Sequence, residues 1–583
     1  MHHFVIVSDF NASNLAGLLS RQENAGTLYA HCAPFGQVMQ SLLDTHKTLW
    51  SGDVDGAIIW TTPHGISPGY AKRLKYEEST IEEMVDEARA FGETLTRLPN
   101  TVRNIFVPTW SAFHPAFARR GFLDMDPVLG LSASLMKMNL ALHEAVRVDS
   151  RVRLFDSARW AGLCGERAYD PRLWYAVKTP YSIDFFRYAA RDFAAALRGI
   201  EGGARKLIVL DLDDTLWGGT VGDDGWQNLR LGGHDPVGEA YHDFQLALHA
   251  LSRRGVLLGI VSKNDEQVAL EAINSHPDMP LRADRFAGWR INWNDKAQNI
   301  VNLAEDLHLG LDGVVFIDDN PVERDRIRQA LPAVLVPEWP ANPAYYCSTL
   351  ASLDCFDAPF VGTREDQDRT AMYVVERKRK RLRESALSLD DWLRSLDLLV
   401  RVECLDSANL PRAAQLLNKT NQMNLSTRRL SAGEFMEWAA DPSHLVLVFK
   451  VTDKLGDYGL VGIGSLEIDR RRSFARVVDF LLSCRVMGRK VEETIFHVFE
   501  TVARDAGAAS LDVEYLPTEK NGPCLAFLEN SGMMRPNDGG ALFVSELAHL
   551  RPLPNCVRLA WKERPQFHDH TFDATIVRGN GEN

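Results

Sequence analysis

KLIVLDLDDT, residues 206–215, joins an apolar run to a cluster of carboxylates. The run has no polar alternation, which is typical of a strand covered on both faces in a parallel sheet. Its carboxyl end carries Asp211, Asp213 and Thr215 in a DxDxT pattern. Because ligand sites of open parallel sheets lie at the carboxyl ends of the strands, this stretch predicts an α/β domain with a functional site at residue 211.

The two acidic residues suit phosphoryl transfer. The carboxylate of Asp211 can attack phosphorus to form an acyl phosphate, and Asp213 can protonate the leaving oxygen and then activate water. The alternative reading of this stretch is a strand-end turn in which an aspartate caps a helix. The remaining motifs decide between the two readings.

Three further motifs follow at spacings that suit a parallel sheet. The strand VLLGIVS ends at Ser262, a helix opens at Lys296 after NWND, and the strand FIDD ends at Asp318 and Asp319. We predict that the phosphate is bound by Thr215, Ser262, Lys263 and Lys296. We predict Mg2+ as the cofactor, since carboxylate oxygens suit a hard cation that offsets repulsion between phosphate and aspartates. Its predicted ligands are Asp211, Asp213, Asp318 and Asp319.

The order and content of these four motifs resemble the haloacid-dehalogenase (HAD) phosphatases. The resemblance implies a catalytic pair of Asp211 and Asp213 in a Rossmann-like parallel sheet. The gaps between Thr215 and Ser262, and between Ser262 and Lys296, are too short for a cap domain. An open site suits a substrate presented on a macromolecule or covered by a neighbouring domain.

The 583-residue chain is too long for a single hydrophobic core. Apolar runs alternate with helical stretches as far as about residue 200, which indicates a first α/β unit with a parallel sheet. The predicted fold class is therefore multidomain α/β. Its predicted units are an N-terminal domain at 1–200, the phosphatase-like domain at 205–345, an α+β domain at 363–560 and a tail at 561–583.

The formal net charge of −13 argues against non-specific binding of nucleic acid, because a phosphate backbone would be repelled. No segment approaches the roughly 18 apolar residues of a membrane span. The eight cysteines are scattered without a CxxC pair. These features predict a cytoplasmic protein that binds neither nucleic acid nor membrane.

FLLSCRVMGRKVEETIF, residues 480–496, predicts a strand, a glycine-containing loop and an amphipathic helix. A helix N-terminus after such a loop is suited to bind an anion. The arrangement resembles the acyl-CoA-binding strand, loop and helix of GNAT-type acyltransferases, although Lys490 stands where that loop usually has Gly or Ala. An ordinary strand–helix turn is the alternative. The resemblance implies contacts to an acyl or pantetheine group from Arg485, Gly488, Arg489, Lys520 and Asn521.

Cys484 lies at the predicted strand end, directly before Arg485. Positive charge and helix-terminal N–H groups lower the pKa of a thiol and favour the nucleophilic thiolate. Cys484 is therefore a candidate catalytic residue, against the alternative of a small buried apolar side chain. Cys524, in KNGPC, is the rival candidate.

A wider set of motifs, which includes LDLDDTLWGGTVGDDG, RINWNDKAQNI, LLNKTNQMNLSTRR and LLSCRVMGRKVE, resembles the FkbH-like proteins of polyketide and related pathways. The resemblance covers roughly residues 206–534. It implies that 1,3-bisphosphoglycerate is captured as a phosphoglyceryl thioester on Cys484 and dephosphorylated at Asp211. The glyceryl unit then passes to the phosphopantetheine thiol of an acyl carrier protein. The alternatives are a phosphatase for another phosphorylated metabolite or carrier-bound substrate, and a non-catalytic scaffold that binds carrier proteins.

The first 200 residues resemble SGNH hydrolases, but the usual Gly-Asp-Ser is replaced by Ser8-Asp9-Phe10-Asn11. We therefore predict a degenerate domain with a binding or structural role. His64 and Asn139 are polar residues that could line a cleft, but contacts within the core or a loop are the favoured reading of both. A basic run, ERKRKRLRE at 376–384, is predicted to be a solvated helix face, with docking of an acidic carrier as the alternative.

Overall fold

The computed structural model contains three large β-sheets in succession along the part of the chain that it describes. The described residues are 2–20, 28–43, 49–50, 54–111, 121–357, 375, 379, 382–383, 388–419, 423–426, 428–518, 521–535, 540–565, 567–568 and 571–572. The predicted multidomain α/β fold class is confirmed by the three sheets and their helices.

The N-terminal sheet has five parallel strands in the order β2-β1-β3-β4-β5. These strands are β1 His2–Ser8, β2 Leu28–Cys32, β3 Gly56–Trp60, β4 Asn104–Pro108 and β5 Val152–Phe155. The helices of this unit are α1 Ser13–Leu19, α2 Val38–Leu43, α3 Pro63–Ile66, α4 Pro68–Leu74, α5 Ile81–Thr96, α6 Leu131–Val146, α7 Ser157–Cys164, α8 Pro171–Val177 and α9 Ile183–Ile200. All residues of β3 and β4 are buried, as expected for strands covered by helices on both faces.

The central sheet has four parallel strands in the order β8-β7-β6-β9. The strands are β6 Leu207–Leu210, β7 Leu257–Ser262, β8 Gly288–Ile291 and β9 Val314–Ile317. The helices are α10 Val221–Asp224, α11 Pro236–Arg253, α12 Glu266–Ser275, α13 Lys296–Asp306, α14 Pro321–Ala330 and α15 Tyr346–Ala351. Between Thr215 and Ser262 the chain forms two helices, a 3₁₀ turn and strand β7, so this gap is as small as the sequence predicted.

Arginines of α9 connect the N-terminal unit to the segment that follows α15. Arg191 donates to the carboxylate of Asp354 at 2.9 Å, and Arg198 lies 3.3 Å from the same carboxylate. The backbone N–H of Arg205 also donates to the carbonyl of Cys355 at 2.7 Å. The segment after α15 is thus joined to α9 of the N-terminal unit by ion pairs, and to the start of the central domain by a main-chain hydrogen bond.

The C-terminal sheet is mixed, with a main order of β16-β15-β14-β13-β12-β10-β17 and β11 paired with β14. Its strands are β10 Leu398–Cys404, β11 Met423–Asn424, β12 His444–Asp453, β13 Gly456–Asp469, β14 Phe474–Leu482, β15 Ser510–Glu514, β16 Leu542–Glu546 and β17 Val557–Trp561. A separate pair consists of β18 Phe567–His568 and β19 Thr571–Phe572. The helices are α16 Leu389–Leu396, α17 Leu410–Lys419, α18 Ala432–Ala439, α19 Val491–Asp505 and α20 Gly522–Glu529.

Helix α19 is the main helix of the C-terminal core. It buries Val491, Ile495, Phe496, Val498 and Phe499 among the sheet residues, as the apolar spacing predicted. Strand β14, a loop and α19 follow one another in the order that the acyltransferase resemblance implied.

Within the described residues, no helix combines the length and the apolar character that crossing a membrane requires.

Candidate active site

The loop after β6 is held in a specific conformation by two tyrosines. Asp214 has a φ of 52°, in the left-handed region that non-glycine residues rarely adopt. The hydroxyl groups of Tyr241 and Tyr346 donate to the carbonyl oxygen of Asp214 at 3.1 and 3.0 Å. These two contacts fix the backbone between Asp213 and Thr215 at the carboxyl edge of the sheet.

Three carboxylates meet at this edge. One oxygen each from Asp211, Asp318 and Asp319 can be chosen so that all three lie within 4.8 Å of one another. Asp318 is fully buried, and its pKa is raised to about 6 by burial and by the charge of Asp211, against the opposing effect of Lys296. Burial and the charge of Asp211 also raise the pKa of Asp319. The group therefore concentrates negative charge where the sequence predicted a cation.

Lys296 is the cation that the protein itself supplies to this group. It is buried at the first position of α13, with Nζ 2.6 Å from Oδ2 of Asp318 and 3.1 Å from Oδ2 of Asp211. Burial lowers the pKa of Lys296, but the charges of Asp211 and Asp318 outweigh it, so the net pKa is raised. Lys296 is therefore held as an ammonium between two of the carboxylates.

Asp213 is oriented by three donors. Its Oδ1 accepts from the indole N–H of Trp217 at 2.9 Å and from the backbone N–H of Val221 at 3.0 Å. Its Oδ2 accepts from Nδ2 of Asn264 at 2.8 Å. Burial raises the pKa of Asp213 in spite of these hydrogen bonds. A raised pKa suits a group that must donate a proton near neutral pH.

Asp213 stands apart from the other three predicted metal ligands in its side-chain contacts, and its contact to a metal stays a prediction. The group of three carboxylates does not include Asp213, whose two oxygens accept the hydrogen bonds of Trp217, Val221 and Asn264 instead. Asn264 was not among the predicted residues. Its position two residues after Ser262, at the end of β7, is the signal in the sequence that could have identified it.

The predicted phosphate-binding residues occupy different positions around this edge. Thr215 is buried and its hydroxyl lies 3.2 Å from Oδ1 of Asp319. Ser262 is buried at the last position of β7. Lys263 is exposed, and its Nζ donates to Oε1 of Glu323 at 2.6 Å. Thr215 and Lys296 therefore contact the carboxylate group directly, whereas Lys263 is paired with an acidic residue of α14.

The chemistry of the donors fits a hard divalent cation. All three side chains of the group offer carboxylate oxygens, which Mg2+ and Ca2+ prefer. Oδ1 of Asp211 is buried and has no hydrogen-bond partner among the described residues. A buried anionic oxygen without a donor is unfavourable, and a bound cation would satisfy it. Asp211, Asp318 and Asp319 are therefore the residues that could hold the ion.

The loop between β14 and α19 contains the predicted acyl-binding residues. The backbone of Cys484 begins a 3₁₀ turn at Cys484–Val486, but its side chain lies outside the described part of the structure. Nε of Arg485 lies 3.3 Å from Oγ of Ser483. Arg489 is buried against Tyr458, whose hydroxyl accepts a hydrogen bond from its guanidinium. Contacts of these residues to an acyl group stay predictions.

Two other predicted residues of this region are Lys520 and Asn521. Lys520 lies outside the described residues. Asn521 is fully buried, its Oδ1 accepts from Tyr515 and Thr518, and its Nδ2 donates to the carbonyls of Asn424 and Leu516. Its amide therefore fixes the loop before α20, and its predicted contact to pantetheine stays a prediction.

Cys524, the rival thiol, is fully buried in α20. Burial raises its pKa to about 12, so almost no thiolate exists at neutral pH. This environment is that of a structural cysteine. It argues against Cys524 as the covalent acceptor.

The basic run at 376–384 is described at Arg379, Leu382 and Arg383, and its other residues lie outside the described part. Arg379 is buried, and its Nε and Nη2 donate to Asp453 at 2.6 and 2.9 Å. Its guanidinium also lies 3.9 Å from the ring centre of Tyr458. At Arg379 the predicted solvated face is wrong, because this side chain belongs to the interior of the C-terminal domain.

The N-terminal sheet also carries polar residues at its carboxyl edge. Asp9 accepts hydrogen bonds from the backbone N–H of Thr62 at 2.9 Å and from its hydroxyl at 2.5 Å, and this hydroxyl lies 3.5 Å from Nε2 of His64. The side chain of Asn139 binds both backbone groups of Trp110 at 2.8 Å. Asn139 therefore supports a loop, and Asp9 joins the ends of β1 and β3.

Asp9→Asn is expected to flatten the pH dependence of the stability of the N-terminal domain. Burial raises the pKa of Asp9 from 3.8 to about 6. A raised folded-state pKa contributes stability that is present below the unfolded-state value and is lost as the pH rises through about 6. The free energy of unfolding, measured by denaturant titration between pH 4 and 7, should therefore fall less steeply with rising pH in Asp9→Asn than in the unaltered protein. Asp86→Asn, an exposed position in α5, serves as the matched control and should retain the full decline.

Comparisons with known proteins agree with this description. No protein-family model matches the chain, and no curated protein matches it either. A crystal structure of the N-terminal part of a Bacteroides fragilis protein, containing a phosphatase domain complexed with Mg, is 25% identical with a TM-score of 0.55. It covers 61% of this chain and 94% of its own. The chain is thus a multidomain α/β protein that is similar, over 61% of its length, to a structure containing a phosphatase domain.

Weaker likenesses are found to acetyltransferases. The spermidine/spermine N-acetyltransferase SpeG from Vibrio cholerae is 13% identical with a TM-score of 0.21, and covers 27% of this chain and 95% of its own. The ribosomal-protein-S18-alanine N-acetyltransferase from Escherichia coli is 13% identical with a TM-score of 0.19, and covers 25% of this chain and 90% of its own.

Proposed function

We propose that the central domain is a Mg2+-dependent phosphatase in which Asp211 is the nucleophile and Asp213 is the general acid and base. The observation that carries this proposal is the position of the Asp211 carboxylate. It lies 3.1 Å from the buried ammonium of Lys296 and within 4.8 Å of two further carboxylates, directly after the central strand. The Mg complex of the similar Bacteroides fragilis phosphatase structure supports the choice of cation.

The residues divide the reaction between them. A carboxylate oxygen of Asp211 attacks phosphorus while the bond to the leaving oxygen breaks, and Asp213 gives its proton to that oxygen. Water then attacks phosphorus, Asp213 takes a proton from it, and the Asp211 carboxylate is released with inorganic phosphate. Lys296 holds Asp211 in place by its charge. Bound Mg2+ would supply the positive charge that allows an anionic substrate to approach three carboxylates.

We infer that this phosphatase is coupled to acyl transfer by the C-terminal domain. The thiolate of Cys484 attacks the acyl carbon of 1,3-bisphosphoglycerate, the bond from that carbon to the phosphate oxygen breaks, and inorganic phosphate leaves. The remaining phosphate ester of the thioester is hydrolysed at Asp211. The thiol of an acyl carrier protein then takes the glyceryl group by thioester exchange, which frees Cys484.

The resemblance of the sequence to FkbH-like proteins supports this coupling, and so does the short gap between Thr215 and Ser262. A central domain without a large inserted cap suits a phosphate ester attached to a protein. The high pKa of Cys524 leaves Cys484 as the favoured thiol. A phosphatase for another metabolite or carrier-bound substrate is the second candidate. It is favoured by the contacts among Asp211, Lys296 and Asp318, since these phosphatase residues all come from the central domain and need no residue of the C-terminal domain.

Intact-protein mass spectrometry after mixing with 1,3-bisphosphoglycerate tests the coupled reaction. We expect a glyceryl adduct on the unaltered protein and none on Cys484→Ala. Cys524→Ala is the matched control and should retain the adduct, since the buried thiol of Cys524 is protonated at neutral pH. Phosphate release without an adduct on any form would favour the second candidate. If neither an adduct nor phosphate release were observed, the remaining alternative would be a non-catalytic scaffold that binds carrier proteins.

A further inference from the structure

The loop before α19 is basic, but its cations already have partners in the protein. Lys490 pairs with Glu493 at 2.8 Å, and Arg489 is buried against Tyr458. Helix α19 is 15 residues long, and a helix of this kind offers unpaired N–H groups to an anion at its N-terminus. These N–H groups are therefore a potential site for an anion.

A carboxyl group of the helix itself, that of Glu492, lies at this end of α19. Oε1 of Glu492 accepts from the backbone N–H of Gly488 at 2.6 Å. This hydrogen bond comes from the loop and acts to lower the pKa of Glu492, so the carboxylate is held at the N-terminal end of α19. Gly488 has a φ of 72°, a left-handed conformation that turns the loop toward the helix.

We propose that the carboxylate of Glu492 is the built-in anion of α19 and excludes the diphosphate of coenzyme A from this helix. The thiol that accepts the acyl group in the C-terminal domain then belongs to a molecule without a diphosphate near this loop, such as a pantetheine arm attached to a protein. This inference deepens the proposed acyl transfer and rests on it for its place in the reaction. The binding property itself depends on Glu492 alone.

Burial supports the assignment. Glu492 is only 4% exposed, and its Oε2 is enclosed with no hydrogen-bond partner among the described residues. Burial and the charge of Glu493 raise the pKa of Glu492 to about 7, although Lys490 opposes them. A phosphate group next to this carboxylate would add a second negative charge to a site that already disfavours the first. A diphosphate would therefore be repelled by the carboxylate that the Gly488 N–H binds.

Isothermal titration of the full chain at pH 8, where a carboxyl group with a pKa of about 7 is mostly charged, tests the proposal with coenzyme A and with pantetheine as the probe without phosphate. The unaltered protein should bind coenzyme A no more tightly than pantetheine. Glu492→Gln keeps an oxygen for the Gly488 N–H but removes the charge. It should therefore tighten coenzyme A binding about tenfold and leave pantetheine binding unchanged.

Glu514→Gln is the matched control, because it removes the same charge at an exposed position of β15, outside the loop before α19. An equal gain in that variant would overturn the assignment to Glu492, as would no gain in Glu492→Gln. Tighter binding of coenzyme A than of pantetheine by the unaltered protein would also overturn it, and that comparison requires no variant. These titrations need no turnover, so a failure of the phosphatase or of the acyl transfer is observed separately.

Discussion

Asp211→Asn should abolish phosphate release from a phosphate ester substrate, with a loss on the order of 10⁵-fold, since the covalent route is removed and only binding and electrostatic effects remain. An amide is a poor nucleophile toward phosphorus and cannot form the acyl phosphate. The measurement is the rate of phosphate release in the presence of Mg2+. Asp223→Asn, an exposed acidic position in α10, is the matched control and should retain the full rate.

The same variant should lose the stabilisation that Mg2+ gives. A ligand that binds the folded state stabilises it by about 2.7 kcal/mol at a concentration of 100 times its Kd. We expect the melting temperature of the unaltered protein to rise on addition of Mg2+, and that of Asp211→Asn to rise far less. Without metal, Asp211→Asn should be at least as stable as the unaltered protein, because one of three neighbouring negative charges is gone while Lys296 keeps its shorter ion pair with Asp318.

Two outcomes would contradict this account. A rate within tenfold of the unaltered enzyme would mean that Asp211 does not attack phosphorus. An undiminished Mg2+ response would mean that the ion binds away from the group formed by Asp211, Asp318 and Asp319. The two measurements are independent, so the nucleophile and the metal ligands can be judged separately.

The main residues of the site could be predicted because parallel strands carry them to one edge. Leu210 is paired with Ile260 of β7 and with Ile317 of β9, so the residues that follow these strands emerge side by side. Apolar runs that end in polar residues are therefore sufficient to predict that Asp211 and Asp318 lie close together. This is the part of the site that depends on local pattern and sheet register.

The remaining parts depend on contacts between distant residues. Tyr346 lies 132 positions after Asp214, yet its hydroxyl contacts that carbonyl, and no spacing in the sequence indicates it. The side chain of Asp213 is oriented by Trp217, Val221 and Asn264, and the DxDxT pattern does not indicate these donors. The charge run predicts a solvent-exposed side chain for Arg379, whereas this side chain pairs in the interior with Asp453 of a separate strand.

Lys296→Met should strongly destabilise the central domain in the absence of metal. Its Nζ lies between the carboxylates of Asp211 and Asp318, and removing one partner of a buried ion pair typically costs about 3–5 kcal/mol. Hydrogen exchange of the β6 amides, followed by mass spectrometry, gives the opening free energy of this domain separately from the others. Lys263→Met removes an exposed pair with Glu323 and should cost less than about 1 kcal/mol.

The pH dependence of this loss distinguishes a charge effect from a packing effect. Without Lys296 the pKa of Asp318, already raised to about 6, should rise further, since the opposing positive charge is gone. At pH 5 Asp318 is then protonated in the folded state, and part of the repulsion with Asp211 is relieved. The cost of Lys296→Met should therefore be larger at pH 8 than at pH 5. An equal cost at both values would show that Met simply packs badly there, and the buried ammonium would lose its role as the partner of both carboxylates.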